Sequence, residues 1–167
     1  LDPERSAVHF ELLHFGTSTL RGRFGPVAGV VTLDRAVGSG EVNLRLATAT
    51  VNTGARVFDV RLREPDLLAS AAFPDAYFVA TRLRFDGTAL AEVGGEFTLR
   101  GVSRALSLRA LRFGCRTDQT TGDGLAGEIC GGDFEGFLQR SDFGMSFGLP
   151  FVSDRVRLFV TVQGRRR

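Results

Sequence analysis

The sequence predicts an all-β fold, an eight-stranded antiparallel β-barrel with a short helical insert at about residues 55–72, and three observations carry that prediction. Runs of eight to ten residues alternate apolar and polar side chains, Gly-rich turns separate them at the spacing of a meander, and one central stretch abandons period two. With 167 residues the chain can bury a sizeable core, and residues 1–167 are expected to form a single domain.

Residues 6–15 open the barrel: Val8, Phe10, Leu12 and His14 share one face, and His9 and Glu11 the other. A Gly-rich turn follows. Residues 25–33 give the second strand through Val27, Gly29, Val31 and Leu33; after Gly38-Ser-Gly40 the third carries Val42, Leu44 and Leu46. Between residues 53 and 72 the pattern changes. Val57, Val60, Leu62, Leu67 and Leu68 fall near helical spacing, interrupted near Glu64, with Pro65 suited to the first turn of a second short helix. Strands resume at residues 77–85, 89–100, 102–113, 132–140 and 154–163; in the last, Val156, Leu158, Val160 and Val162 share a face. An eight-stranded barrel holds side chains or one slender ligand. Strands of this length predict a cavity roughly 30 Å long before tilt, which suits an extended chain better than a compact metabolite.

Composition excludes several function classes. All twenty-one basic residues are Arg, spread along the strands, and nineteen acids balance them to a formal net charge of +2. The one basic run, residues 165–167, reads as a solvated tail, so no nucleic-acid partner is expected. No run of eighteen apolar residues exists to make a transmembrane segment. Fifteen Phe against one Tyr and no Trp is a mix without polar tips, suited to a core or to the walls of a greasy pocket.

Cys115 and Cys130 flank a polar, Gly-rich stretch that cannot pack a core of its own. A disulfide would tie that stretch down, contributing about 3 kcal/mol by loop closure, and would imply an oxidising compartment. The alternative is two unrelated reduced thiols. No second Cys or His stands at ligand spacing, so no metal site is expected. The chain opens at Leu1 with no charged-then-apolar leader, and the expectation is a periplasmic or secreted protein whose signal peptide is not part of this sequence.

Five groups of residues, in register from end to end, resemble the YceI-like polyisoprenoid-binding family. They are the opening Leu1-Asp-Pro-Glu-Arg-Ser-Ala-Val-His-Phe10; the turn region from His14 to Phe24; Leu62-Arg-Glu-Pro-Asp-Leu-Leu68 with Phe73-Pro74; Gly95-Glu-Phe-Thr-Leu-Arg-Gly-Val-Ser-Arg104; and Arg140-Ser-Asp-Phe-Gly144 with Leu149-Pro150 and Val152-Ser-Asp154. The resemblance implies a lipocalin-like barrel, usually exported, enclosing a polyprenyl chain such as a polyprenyl phosphate or the tail of a ubiquinone-like quinone. The Cys115 to Cys130 stretch is longer than in the simplest members and, lying over the barrel, would alter access or ligand length.

Such a ligand needs apolar walls and a few polar groups at its head. Alternation puts Phe10, Leu12, Val31, Leu44, Leu46, Leu99, Leu106, Leu108, Leu138 and Leu158 inward; Phe78, Phe143, Met145 and Phe147 are further candidates whose facing alternation does not fix. For each, plain core packing is the competing reading. The head-group candidates are His14, on the apolar face of the first strand, and Arg140, in alternation with Phe134 and Leu138; a guanidinium can fork onto phosphate and an imidazole can donate to a carbonyl. The competing readings are a histidine satisfied by backbone and an arginine bridged to Asp142 or another acid.

No catalytic constellation is present. Asp142-Phe-Gly144 lacks the Lys and catalytic loop of a kinase, His9 and His14 have no Gly-x-Ser-x-Gly companion, and Asp2 and Glu4 sit at a terminus without a pocket. The expectation is a non-enzymatic carrier or store of an isoprenoid lipid, without a catalytic cofactor, with an exposed sheet edge that would allow a homodimer. The rivals are a stress-linked interaction protein taking a fatty amide, a fatty acid or a protein partner at its rim, and an enzyme acting on quinones.

Overall fold

The computed structural model describes residues 1–118 and 127–165. Nine strands make one antiparallel sheet: β1 (Ala7–His14), β2 (Ser18–Phe24), β3 (Val27–Asp34), β4 (Ser39–Ala47), β5 (Asp75–Asp86), β6 (Ala89–Leu99), β7 (Val102–Asp118), β8 (Gly127–Gln139) and β9 (Arg155–Arg165). The order across the sheet is β2-β1-β9-β8-β7-β6-β5-β4-β3. Its two edges, β2 and β3, are consecutive in sequence and joined by Gly25 and Pro26 alone, a span of at most about 10 Å. The sheet must therefore curl back on itself into a half-barrel. Residues 48–52 lie along the free edge of β2, where Arg23 and Asn52 exchange backbone hydrogen bonds at 2.9 Å. Register shifts between Ala80 and Arg82, and between Ala110 and Arg112, add local bends.

The antiparallel β class holds, and the strand count rises from eight to nine. Ser18–Phe24, expected as turn, is a strand: Thr19, Arg21 and Arg23 face outward while Leu20, Gly22 and Phe24 pair with Leu12, Phe10 and Val8. Only Phe15 to Thr17 turn the chain, with the Thr17 N–H donating to His14 O. Gly22 is required on the inner face, because a Cβ there would lie 2.5 Å from the Phe10 ring.

The helical insert is also shorter than its apolar spacing suggests. Helix α1 runs only over Arg56–Leu62. Pro65 biases Glu64 away from helical geometry, and the next N–H groups fold back onto the end of α1: Leu68 to Leu62 O, Ala69 to Glu64 O and Ser70 to Arg63 O. Leu67 and Leu68 are thus brought inward by a compact turn and not by a second helix.

Cys115 and Cys130 face each other across β7 and β8 and form a disulfide. The pairing continues past them, through Arg116 with Ile129 and Thr117 with Glu128, so both ends of the expected loop are two-stranded ribbon. Residues 119–126 of that loop, and residues 166–167 of the expected basic tail, lie outside the described residues.

One end of the concave face is filled. Val42, Ala80, Leu90, Val93 and Phe134 are buried there, with Leu83, Phe85 and Phe113 packed on them. On the convex face, Arg109, Glu135, Arg157, Glu11 and Arg21 form a chain of ion pairs across β7, β8, β9, β1 and β2. Glu135 is buried between two cations, and hydrogen bonds from Arg109 and then Arg157 hold its carboxyl below the usual carboxylate range. A lowered folded-state value makes this stabilisation complete above the unfolded glutamate value of about 4.3 and lost as pH falls through the folded one. Glu135→Gln is therefore expected to destabilise at pH 7, with the gap to the parent closing toward pH 3. Urea unfolding across that range checks it; a gap independent of pH would refute the assignment.

Candidate functional site: an apolar cavity at the open end of the sheet

The other end of the concave face is not filled. A cavity of about 310 Å³ lies there, at the low end of the range for small-ligand sites. Its walls come from alternate positions on the strands: Phe10 and Leu12 of β1, Leu46 of β4, Phe78 of β5, Leu99 of β6, Leu108 of β7 and Leu138 of β8. Leu44, Leu106 and Leu158 join them. Met145 and Phe147, from the segment between β8 and β9, close one side, and Phe58, Arg61 and Leu62 of α1 with Leu67 and Leu68 close another. Because Val42, Ala80, Leu90, Val93 and Phe134 occupy the far end without bordering the void, the cavity does not run the length of the strands as expected.

Two expected wall residues are elsewhere. Val31 keeps the alternation of its strand, but its partner Val42 belongs to the filled end and β3 is an edge, so the side chain is 41% exposed and away from the cavity. Phe143 is buried against Phe97, centroids 5.6 Å apart. The 3-10 turn Arg140–Phe143, closed by Gly144 at φ 78°, swings the ring off the cavity lining. Neither cysteine borders the cavity, nor does any residue between Leu108 and Leu138, so the disulfide ribbon does not lie over it among the described residues.

Four cavity-lining residues carry polar side chains: His14, Thr48, Arg61 and Arg140. The Thr48 hydroxyl donates to Phe73 O at 2.8 Å. Arg140, 4% exposed, uses its Nε–H on Ser153 O, Nη1 on Met145 O and Phe147 O, and Nη2 on Val152 O, all between 2.8 and 2.9 Å. Burial lowers its pKa, opposed by the charge of Asp154, and a guanidinium stays protonated regardless. Four of its five N–H groups are thus spent on backbone. Arg140 braces the segment over the cavity, and its partners are carbonyls instead of Asp142. Ser141 completes the lock, its N–H and hydroxyl both donating to Asp154.

The remaining two polar groups sit at the mouth. His14 packs edge-on against Phe15 at 4.7 Å and Phe58 at 6.4 Å, and its imidazole has ring contacts but no hydrogen bond among the described residues. Arg61 forms a bidentate pair with Asp66 at 2.6 Å and lies 4.2 Å over the Phe147 ring. Its hydrogen bonds hold the Asp66 carboxyl below the usual range. Asp59, accepting from the N–H and hydroxyl of Thr53 at 2.7 Å, pins α1 in place beneath them. Sequence reasoning missed Arg61, because no local pattern announces a contact made through a turn. The Leu20-Gly22-Phe24 alternation was a usable signal for the β2 wall.

The architecture has counterparts. Residues 1–164 match the sequence model of the YceI-like domain. The chain belongs to the YceI-like family. Protein YceI of Escherichia coli O157:H7 is 31% identical over 162 residues, spanning 96% of this chain and 82% of that protein. The YCEI protein of Campylobacter jejuni superposes with a TM-score of 0.77 at 25% identity, over 92% of this chain and 89% of that one. A domain from Saccharophagus degradans described as polyisoprenoid binding superposes with a TM-score of 0.68 at 17% identity, over 98% and 95%; it shares the fold. In this YceI-like chain the most distinctive motif, Arg140 to Gly144 with Val152 to Asp154, is the brace that shapes the cavity cover.

Proposed function

We propose that this chain binds a single long apolar lipid, isoprenoid in class, and carries or stores it without chemistry of its own. The observation that carries the reading is the cavity lining, in which all but four residues are apolar and two of those four, Thr48 and Arg140, bond mainly to backbone carbonyls. Burial of each methylene group there contributes about 0.8 kcal/mol, so affinity grows with chain length. The polar head, a phosphate or a quinone ring, is held at the mouth by His14 with Arg61, the groups left to orient it. The polyisoprenoid-binding neighbour, built on the same fold, agrees with this reading. The disulfide fits an oxidising compartment, and we place the protein in the periplasm or outside the cell.

Extraction of the protein from its native host, followed by mass spectrometry of co-purified lipid, tests the proposal. A polyprenyl phosphate or quinone is the expected species. Repeated recovery of saturated fatty amides or acids alone, or of no lipid, would overturn the isoprenoid reading.

A further inference from the structure

The same end of the molecule exposes four phenylalanine rings. Phe15, Phe58, Phe147 and Phe151 are 59%, 44%, 56% and 65% exposed. Ring contacts and chain connectivity link them to one another. Phe15 stacks on Phe151 at 6.1 Å and donates its N–H to the Phe151 carbonyl at 2.7 Å. His14 touches both Phe15 and Phe58. Arg61, one turn beyond Phe58 on α1, covers Phe147, which leads along the chain to Phe151. Phe58, Arg61 and Phe147 also line the cavity. The rings therefore form a rim continuous with the interior, with a guanidinium set among them.

Phe15 adds a second observation. Its φ is 52°, the left-handed region that a bulky residue adopts only at a cost. Gly or Asn would fit that turn better, so the backbone is strained to hold an apolar ring in water.

We infer that this rim is a docking surface for a lipid bilayer, from which cargo passes to the cavity. The inference rests on the reading that the cargo is a lipid. A long apolar chain cannot cross water at useful rates, so the mouth must meet the phase that dissolves the chain. Separate rings around an opening can each enter the acyl boundary, while the Arg61–Asp66 ion pair stays at headgroup level. A second copy seated on the rim would instead seal the mouth.

The test is flotation of the full chain with vesicles of phosphatidylethanolamine and phosphatidylglycerol, beside an F15N/F151S variant. Neither substituted residue borders the cavity. The parent is expected to float, and the variant to lose vesicle partitioning by at least about tenfold, since two rings are withdrawn. Asn at position 15 relieves the left-handed strain, so unchanged or raised urea stability separates lost docking from lost folding. Binding of all-trans-retinol, a fluorescent isoprenoid, in vesicle-free solution is expected to be unaltered. If retinol fails to bind while the parent floats, the cargo reading falls and docking stands. If the parent does not float, or the variant floats equally, docking is overturned. A parent that stays in solution as a dimer which the variant splits would assign the rim to a second copy.

Discussion

Replacing Arg140 by Met is expected to destabilise the fold by about 3–5 kcal/mol, since four hydrogen bonds from a buried charged donor are lost at once. The side chain gathers four carbonyls, of Met145, Phe147, Val152 and Ser153, onto one guanidinium. Methionine fills comparable length but donates nothing, so four carbonyls lose their donor, that of Met145 in a buried setting. Arg140→Lys is expected to recover little, because a compact ammonium cannot span carbonyls that the planar fork reaches on three edges. Urea unfolding gives the measure: the midpoint should fall with the slope unchanged. A loss under about 1 kcal/mol would show that the segment holds its shape without the brace. The brace also has a functional side. Met145, Phe147 and Val152 border the cavity, so the same substitution is expected to loosen its cover and weaken retention of an apolar ligand.

Alternation was enough to place Phe10, Leu12, Leu46, Leu99, Leu108 and Leu138 on one concave surface, since a two-residue period is a local property of the chain. It was not enough for Val31. That residue has the right parity, but whether an inward position meets a void, a plug or solvent depends on its neighbours across the sheet, here Val42 and an open edge. Ser18–Phe24 was masked by its outward Thr and Arg residues, although Leu20, Gly22 and Phe24 kept the inward half of the pattern. Phe143 and Arg140 failed for a different reason. Both stand where strand β8 gives way to a 3-10 turn: Phe143 follows that turn and its left-handed Gly144 off the lining, whereas Arg140 does reach the cavity as parity predicts, but with its N–H groups engaged by carbonyls that only the fold brings near. Arg61 was invisible because its role arises from α1 folding over strands that are distant in sequence. The site was thus legible as a wall and illegible as a mouth.

The wall is also where the proposed function is most exposed to test. Leu12 on β1 and Leu44 on β4 border the cavity and are only partly buried, so larger side chains there extend into open volume. L12W/L44W is expected to fold with near-parental stability, because the added rings enter space that is already apolar and unfilled, unlike overpacking of a dense core. Binding of all-trans-retinol should suffer heavily. Each five-carbon unit displaced from the interior forfeits about 4 kcal/mol at about 0.8 kcal/mol per methylene group, close to a thousandfold in affinity. Fluorescence titration of the parent and the variant reads that difference directly. If retinol bound both proteins alike, the ligand would have to sit on the rim and not within the sheet. The Phe15 and Phe151 rings would then be the binding site itself instead of its approach. The F15N/F151S variant would show the loss in its place, so the two variants together fix where along the path from bilayer to interior an isoprenoid comes to rest.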